Sequence, residues 1–322
     1  MITMTEIAKL TQVSQPTVSR VLNGSKTVSA DIRERVLACA REHNYQFNAL
    51  AKSLQGGKTQ LLGVLLTDVS NSFFADLAKQ VEAKARELGY SIILFNSDYS
   101  SAREQEYLDV VRRYRVDGVL AVPVLEGGSL WPGCAQRLDV PVVALTRQVE
   151  GLDCVYLDHV EAAAQVARHM TQRGYRRFLF IGQDGCPKCE GFRQELSARG
   201  LASQLTVLEG QDDEQLKKEL RSHCQRPGPR TGIFANNDVC ALRVLSILRA
   251  LGIAVPGRVG VMGFDDTYMG RYLHPALSSV SQPIEQIAQQ AVSRLAYRID
   301  NPGPAAPLNL ALPAALVLRE ST

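Results

Sequence analysis

The sequence predicts an α/β protein: an all-α helix-turn-helix head with a short hinge helix, followed by two doubly wound parallel-sheet lobes. Three observations predict it. The first sixty residues show helical periodicity and no strand-like runs. From Leu61 onward, short unbroken apolar runs alternate with helical segments. The charge divides at the same place: residues 1–60 hold eight Lys and Arg against four Asp and Glu, an excess of four, while the whole 322-residue chain carries only +3. Positive charge gathered on the first segment suits a polyanionic partner.

The length suffices for two domains and a small appendage. A composition of 45% hydrophobic and 21% charged residues is that of an ordinary globular chain. No apolar run approaches the roughly 20 residues of a membrane helix, and the N-terminus lacks a signal-peptide pattern. The expected location is the cytoplasm, away from membranes. Seven cysteines, an odd number scattered along the chain, do not resemble a disulfide framework.

The stretch from Met4 to Leu22, MTEIAKL-TQ-VSQPTVSRVL, reads as two short helices joined by a tight turn. Ile7, Ala8, Leu10, Val13, Val18, Val21 and Leu22 recur at helical spacing and should form a small core. Thr5 is placed to N-cap the first helix and Ser14 the second. Pro16 falls in the first turn, where a missing N–H does little harm. Asn23-Gly24 then stops the helix. The remaining face carries Gln15, Thr17, Ser19 and Arg20. Amide and guanidinium groups suit base edges, and hydroxyls suit phosphates, as a helix in a major groove requires. Ser29 is placed to cap a third helix whose Ile32, Val36, Leu37 and Ala40 complete the core. NALAKSL, residues 48–54, is helical but too short to stand alone, so it is expected to fold against DNA or a partner chain.

Beyond it lie LLGVLL, SIILF, GVLAV, PVVAL, CVYL, RFLFIG, GIFA and VGVMGF. Helical segments separate most of them: 74–88, 104–114, 161–173, 191–199, 214–224 and 239–251. Strands without polar alternation are buried on both faces, and their alternation with helices means parallel βαβ units, enough for two sheets. Such sheets bind ligands at the carboxyl ends of their strands. The residues to read are therefore 68–71, 96–98, Thr146-Arg147, 236–238 and Asp265-Asp266.

At this point the chain resembles the LacI/GalR family of transcription repressors. The residues that carry the resemblance are VSQPTVSRVLNG, REHNY, NALAKSL, LGVLLTDVSNSFFADL, ELGY, VDGVL, PVVAL, ANNDVCAL, VGVMGFDDT and LSSVSQP, spread over essentially the whole length. The resemblance implies a DNA-binding head over residues 1–46, a hinge helix and linker over 47–59, and an effector-binding and dimerisation core over 60–322. That core would be two-lobed, like the periplasmic sugar-binding proteins. Its first lobe would span 60–158 with 284–312 and its second 159–283 with 313–322, with crossings near Asp158, Pro283 and Pro313. The family's tetramers carry a C-terminal leucine-repeat helix. This chain stops at Thr322, so a homodimer on a near-palindromic double-stranded operator is implied.

Residue by residue, the resemblance places Gln15, Pro16 and Arg20 at base-reading positions, with Arg20 suited to bidentate contact with guanine. Thr5, Ser14, Thr17, Asn23, Tyr45 and Asn48 match phosphate-positioning residues. Ala51 and Leu54 match the hinge pair that wedges into a minor-groove step. Phe47 departs from the family's proline before the hinge asparagine. In the cleft, Phe73 and Phe74 match positions that pack on the effector, and Asn237 and Asp265 match polar residues that hydrogen-bond it. Lys188 stands where the family has a clamping arginine, and lysine lacks the fork geometry. Arg147 also points to the cleft by its position. Two cations beside one carboxylate suggest an effector with an anionic group, such as a sugar acid or phosphosugar, so the small-molecule effector expected is a sugar, a sugar acid or a phosphosugar.

Cys186-Pro187-Lys188-Cys189 has redox or zinc-ligand spacing. No second Cys or His pair follows at zinc spacing, which argues against structural zinc. A reversible disulfide at the effector site is one reading, since a nearby lysine lowers a thiol pKa. Two small residues in a βα loop is the plainer one. No Ser-His-Asp set, phosphate loop, GxGxxG or HExxH appears, and the five histidines lie in unlike contexts, so no catalytic residue, metal or cofactor is expected. The function expected is an effector-responsive, sequence-specific DNA-binding repressor of a carbohydrate-utilisation operon. The alternative is a cytoplasmic sugar-binding protein without regulatory DNA binding.

Overall fold

The computed structural model describes residues 2–22, 27–43, 45, 58–124, 131 and 138–322. Its contacts divide the chain into two units, Met1–Thr59 and Gln60–Thr322.

The first unit holds α1 (Met4–Leu10), α2 (Gln15–Leu22) and α3 (Ala30–Glu42). Ile7, Ala8, Val18, Val21, Val36 and Ala40 form its core, with Val13, Leu22, Ile32 and Cys39 packed around them. Two apolar residues expected inside are outside: Leu10 is 58% exposed and Leu37 37%. Both lie one position off the buried stripe. The cap of α1 is Thr3, not Thr5. Thr3 and Glu6 make a capping box, with the Thr3 amide donating to Glu6 Oε2 at 2.7 Å and the Glu6 amide to Thr3 Oγ1 at 3.3 Å. Ser14 does cap α2: its Oγ accepts from the Thr17 amide at 3.4 Å and lies 2.9 Å from the Thr17 hydroxyl. Ser29 occupies the N-cap position of α3, but its side chain makes no capping bond. The stop at Asn23-Gly24 and the hinge at 48–54 lie outside the described residues.

The second unit contains two six-stranded sheets. The first is built from β1 (Leu61–Leu66), β2 (Ser91–Asn96), β3 (Gly118–Ala121), β4 (Val142–Thr146), β5 (Asp153–Leu157) and β11 (Asn309–Leu312), in the order β11-β5-β4-β3-β1-β2. The second is built from β6 (Arg177–Ile181), β7 (Leu205–Leu208), β8 (Thr231–Ala235), β9 (Val259–Asp265), β10 (Ser278–Ser281) and β12 (Ala315–Val317), in the order β12-β10-β9-β8-β6-β7. Every pairing is parallel except β10 with β12. Both are doubly wound. Helices cover their faces: α4 (Ser72–Glu87), α5 (Ser101–Tyr114) and α10 (Ile284–Asp300) on the first sheet, and α6 (His159–Gln172), α7 (Pro187–Ala198), α8 (Asp213–Cys224) and α9 (Asp238–Ala250) on the second.

The strands β3, β4, β8 and β9 are buried at every residue, as runs without polar alternation require. Alternate side chains serve opposite faces: Leu62, Val64 and Leu66 enter one cluster and Leu65 the other. The chain passes between the sheets three times, between Leu157 and His159, between Ser281 and Ile284, and between Leu312 and Ala315. Four strands and one helix went unread in the sequence. β11 alternates exposed and half-buried residues at a sheet edge, and β7 and β12 are short. β10 is SSVS, polar by letter yet buried. Its serines are satisfied internally, Ser279 Oγ donating to Asp238 Oδ1 at 2.6 Å and Ser278 Oγ lying 2.9 Å from Thr322 Oγ1. α10 buries Ile287, Ala288, Ala291, Val292 and Leu295 against the first sheet.

Candidate DNA-reading helix and effector cleft

α2 is two-faced. Val18 and Val21 are buried, while Ser14, Gln15, Pro16 and Arg20 are exposed and Thr17 is half-buried. Pro16 occupies the second helical position, where its missing amide breaks no helical bond. Thr5 is exposed on α1. Tyr45 packs on the head core, its amide donating to the Ala40 carbonyl at 2.8 Å, and burial pushes its phenol pKa up. Asn23, Asn48, Ala51 and Leu54 lie outside the described residues.

In the second unit, both sheets reverse strand order at their first strand, between β1 and β3 and between β6 and β8. The crevices at those points are where such sheets take ligands. The backbone there is strained. Asp98, Tyr99, Thr146, Asp265 and Asp266 all have positive φ, at 51°, 56°, 61°, 110° and 49°. For the β-branched Thr146 this is costly, and such conformations gather at binding sites. Side chains at the strand ends also cap the helices that follow: Asn71, Ser100, Asp158, Cys186, Asp212 and Asn237 each accept a helix amide.

Asp265 ends β9 and is 7% exposed. Its Oδ1 accepts from Gln282 Nε2 at 2.7 Å. The Asn71 side chain, from the first lobe, also donates to it. Burial pushes the Asp265 carboxyl up to about 7, with Lys188 pulling the other way. Lys188 donates to the Asn236 carbonyl at 2.8 Å and stands 3.7 Å above the Phe264 ring. Burial lowers its pKa, Asp265 raises it and Arg147 lowers it. Arg147, half-buried beyond the strained Thr146, acts electrostatically on Tyr99 and Glu104 of the first lobe and on His159 and Lys188 of the second.

The structure thus brings Arg147, Lys188 and Asp265 together. Asn237 spends its Oδ1 on capping α9, accepting the Cys240 amide at 2.8 Å. Phe73 and Phe74 form an edge-to-face pair at 5.1 Å and are 3% and 9% exposed within the first-lobe core. Little of either ring remains for a ligand.

Three residues lie outside the strand-end set that the sequence points to, His159, Gln282 and Glu104, and two within it, Asn71 and Asp238, have roles that the sequence does not assign. His159 is half-buried at the start of α6, 5.5 Å from the Phe264 ring, and burial with Lys188 and Arg147 holds its pKa well below 6.5. Its place two residues beyond CVYL was the available signal. Asn71 and Gln282 hold Asp265. Glu104 is 1% exposed and accepts the Val124 amide and Trp131 Nε1, each at 3.0 Å; burial raises its pKa. Asp238 is 1% exposed and accepts from the Thr267 amide, the Thr267 hydroxyl and Ser279. No sequence pattern separated it from Asp265.

Cys186 is the cap of α7: its sulfur accepts the Cys189 amide at 3.4 Å. Cys189 is buried, and burial pushes its thiol up to about 11, against the expected lowering by the neighbouring lysine. Asp184, Cys189 and Glu190 have metal-compatible spacing. Arg193 bonds both carboxylates, so a guanidinium already fills the cation position.

A helix-turn-helix head in one chain with a two-sheet, ligand-binding core defines a ligand-responsive DNA-binding regulator. Comparison with known proteins bears this out. Residues 3–48 match the family of bacterial regulatory proteins called the lacI family, and residues 167–322 match a periplasmic binding protein-like domain. The ribose operon repressor of Halalkalibacterium halodurans is 31% identical over 100% of this chain and 97% of its own. The chain therefore belongs to the LacI family, whose members are DNA-binding transcriptional regulators rather than enzymes. Among solved structures, the transcriptional regulator CelR–cellobiose complex superposes at a TM-score of 0.70, with 26% identity and 100% of both chains covered. The lac repressor dimer bound to operator and the anti-inducer ONPF superposes at 0.83 with 22% identity, over 99% of this chain and 98% of that one, and shows the shared fold. Among the described residues no helix is long and apolar enough to cross a membrane.

Proposed function

We propose that this protein is a cytoplasmic, homodimeric repressor of a carbohydrate-utilisation operon, released from or fastened to its operator by a small sugar-like effector. Residues 1–46 read a near-palindromic duplex, residues 47–59 form the hinge, and residues 60–322 hold the effector. Gln15, Pro16 and Arg20 read bases, with Thr5, Ser14, Thr17, Asn23, Tyr45 and Asn48 on phosphates and Ala51 and Leu54 in the minor groove. Arg147, Lys188, Asn237 and Asp265 bind the effector, with Phe73 and Phe74 backing the site.

The observation that carries the reading is α2. It buries Val18 and Val21 and exposes a contiguous set of base-capable side chains, in a chain whose second unit ends its strands in strained, polar residues. Kinship to an operon repressor for ribose and likeness to a cellobiose-bound regulator support the sugar class. Coupling follows from linkage: an effector that favours one lobe geometry shifts operator affinity by its differential binding.

The test is fluorescence anisotropy on duplexes selected from a random pool, with and without candidate effectors. Specific, salt-sensitive binding altered by one of them is expected, and Asp265→Ala should lose that response while keeping operator binding. Failure to bind any duplex at low ionic strength leaves only a ligand-binding protein.

A further inference from the structure

We propose that Cys186 and Cys189 are a redox-active dithiol, which small disulfides convert reversibly into an intrachain disulfide, with Cys186 attacking first and Cys189 closing the bond.

The pair opens α7, the helix of the parallel unit β6-α7-β7. Cys-x-x-Cys at the start of a helix in such a unit is the arrangement of dithiol redox sites. The local geometry gives the two thiols different parts. Cys186 is the N-cap and is half-buried, and its neighbours Asp184, Gly185 and Pro187 are exposed, so a small molecule can reach its sulfur. Pro187 holds the first helical position, and its fixed φ sets the turn. Cys189, in the same turn, is fully buried. The Cys186 sulfur accepts the Cys189 amide at 3.4 Å. The cap bond therefore already folds the first sulfur onto the residue that carries the second. Both thiols are free.

Cys189 is equipped for the second step. Its Sγ donates to Asp184 Oδ1 at 3.5 Å. Burial pushes its pKa up to about 11, which keeps it protonated until Cys186 is engaged. Asp184 is exposed, and Arg193 Nη2 donates to the same oxygen at 2.5 Å. A fixed carboxylate thus links the buried thiol to solvent.

The exchange runs in two steps. The Cys186 thiol loses its proton to water, and its sulfur attacks one sulfur of the external disulfide. A mixed disulfide forms and one external thiolate leaves. The Cys189 proton then passes to Asp184 Oδ1 and on to solvent, while its sulfur attacks that of Cys186 and releases the second external thiolate. Two protein thiols are oxidised, and the external disulfide is reduced to two thiols. The closed bond spans Lys188, whose Nζ donates to the Asn236 carbonyl at 2.8 Å and stands 3.7 Å above the Phe264 ring. Oxidation therefore acts on the turn that carries this lysine.

The experiment is incubation of the full chain with oxidised glutathione, followed over time by peptide mass spectrometry. The peptide holding residues 186–189 should become lighter by two hydrogens, and dithiothreitol should restore it. Cys189→Ser should stop the reaction at a lasting glutathione adduct on Cys186. Cys186→Ser should leave Cys189 without an adduct. Asp184→Asn should form the Cys186 adduct at the native rate but close the intrachain bond at least tenfold more slowly. Closure at the native rate in Asp184→Asn overturns the part given to Asp184. A wild-type peptide that never loses two hydrogens, or an adduct that forms on Cys189 first, overturns the dithiol. These readouts need neither operator nor effector, so they fail or succeed apart from the regulatory reading.

Discussion

Asp238 and Gly263 are fitted to one another: a Cβ on Gly263 would come within 2.2 Å of Asp238 Oδ1. The bare backbone of β9 makes room for a carboxylate at the start of α9. That carboxylate accepts from the Thr267 amide at 2.6 Å and from Ser279 at 2.6 Å. It thereby pins the segment after β9, which begins with the strained Asp266. Gly263→Ala should cost about 1–3 kcal/mol, because the new methyl overpacks a filled site. Urea unfolding monitored by circular dichroism checks this. A midpoint unchanged from the native protein would refute the fit.

The pairing also shows what the sequence could reveal. Fully apolar runs such as VGVMGF announced central strands, because burial on both faces leaves a compositional trace. β10 left none, because its serines are buried with their hydroxyls paired to Asp238 and Thr322. The strand-end rule points at Arg147 and Asp265, and the family resemblance at Lys188. It could not assign labour between Asp238 and Asp265, which differ only in the partners folding supplies. One holds the backbone through Thr267, and the other faces Lys188 across the cleft wall. The family resemblance points to Phe73 and Phe74 as packing on the effector, and helix α4 places most of both rings in the first-lobe core. The Thr5 cap failed for a local reason: Glu6 completes a capping box only with a threonine three residues before it, which is Thr3.

That last difference is testable in the head alone. Thr3→Ala removes an N-cap and should cost about 1 kcal/mol of local stability. Thr5→Ala, an exposed change inside the first turn, should leave it within about 0.5 kcal/mol. Hydrogen exchange of the α1 amides distinguishes them. Equal effects of the two substitutions would return the cap to Thr5.

Arg20 is exposed on the face of α2 opposite Val18 and Val21 and takes no part in the core. Arg20→Ala should leave the melting temperature unchanged. Operator affinity should fall by about 1–3 kcal/mol, with discrimination relaxed at one base pair. Anisotropy titrations against single-base operator variants measure both. A uniform loss across all sequences would make Arg20 a phosphate contact.

Asp265 and His159 should give the protein's stability opposing dependences on pH. Asp265 rises from 3.8 to about 7 on folding, chiefly through burial. Between those values the folded state binds more protons than the unfolded one, so stability falls as pH climbs from about 4 to about 7 and levels off above. His159 is held well below its 6.5, first by burial and then by Lys188 and Arg147. The unfolded state binds the extra proton there, so stability rises with pH until 6.5 and is then constant. In the interval both groups share, the slopes oppose one another. Asp265→Asn removes the falling component and should steepen the rise in melting temperature from pH 5 toward pH 6.5, flattening the curve above it. His159→Gln removes the rising component and should expose a steady decline up to about pH 7. Melting curves of the two variants across this range decide the matter, because parallel displacement of both profiles would mean that neither side chain titrates where its surroundings place it.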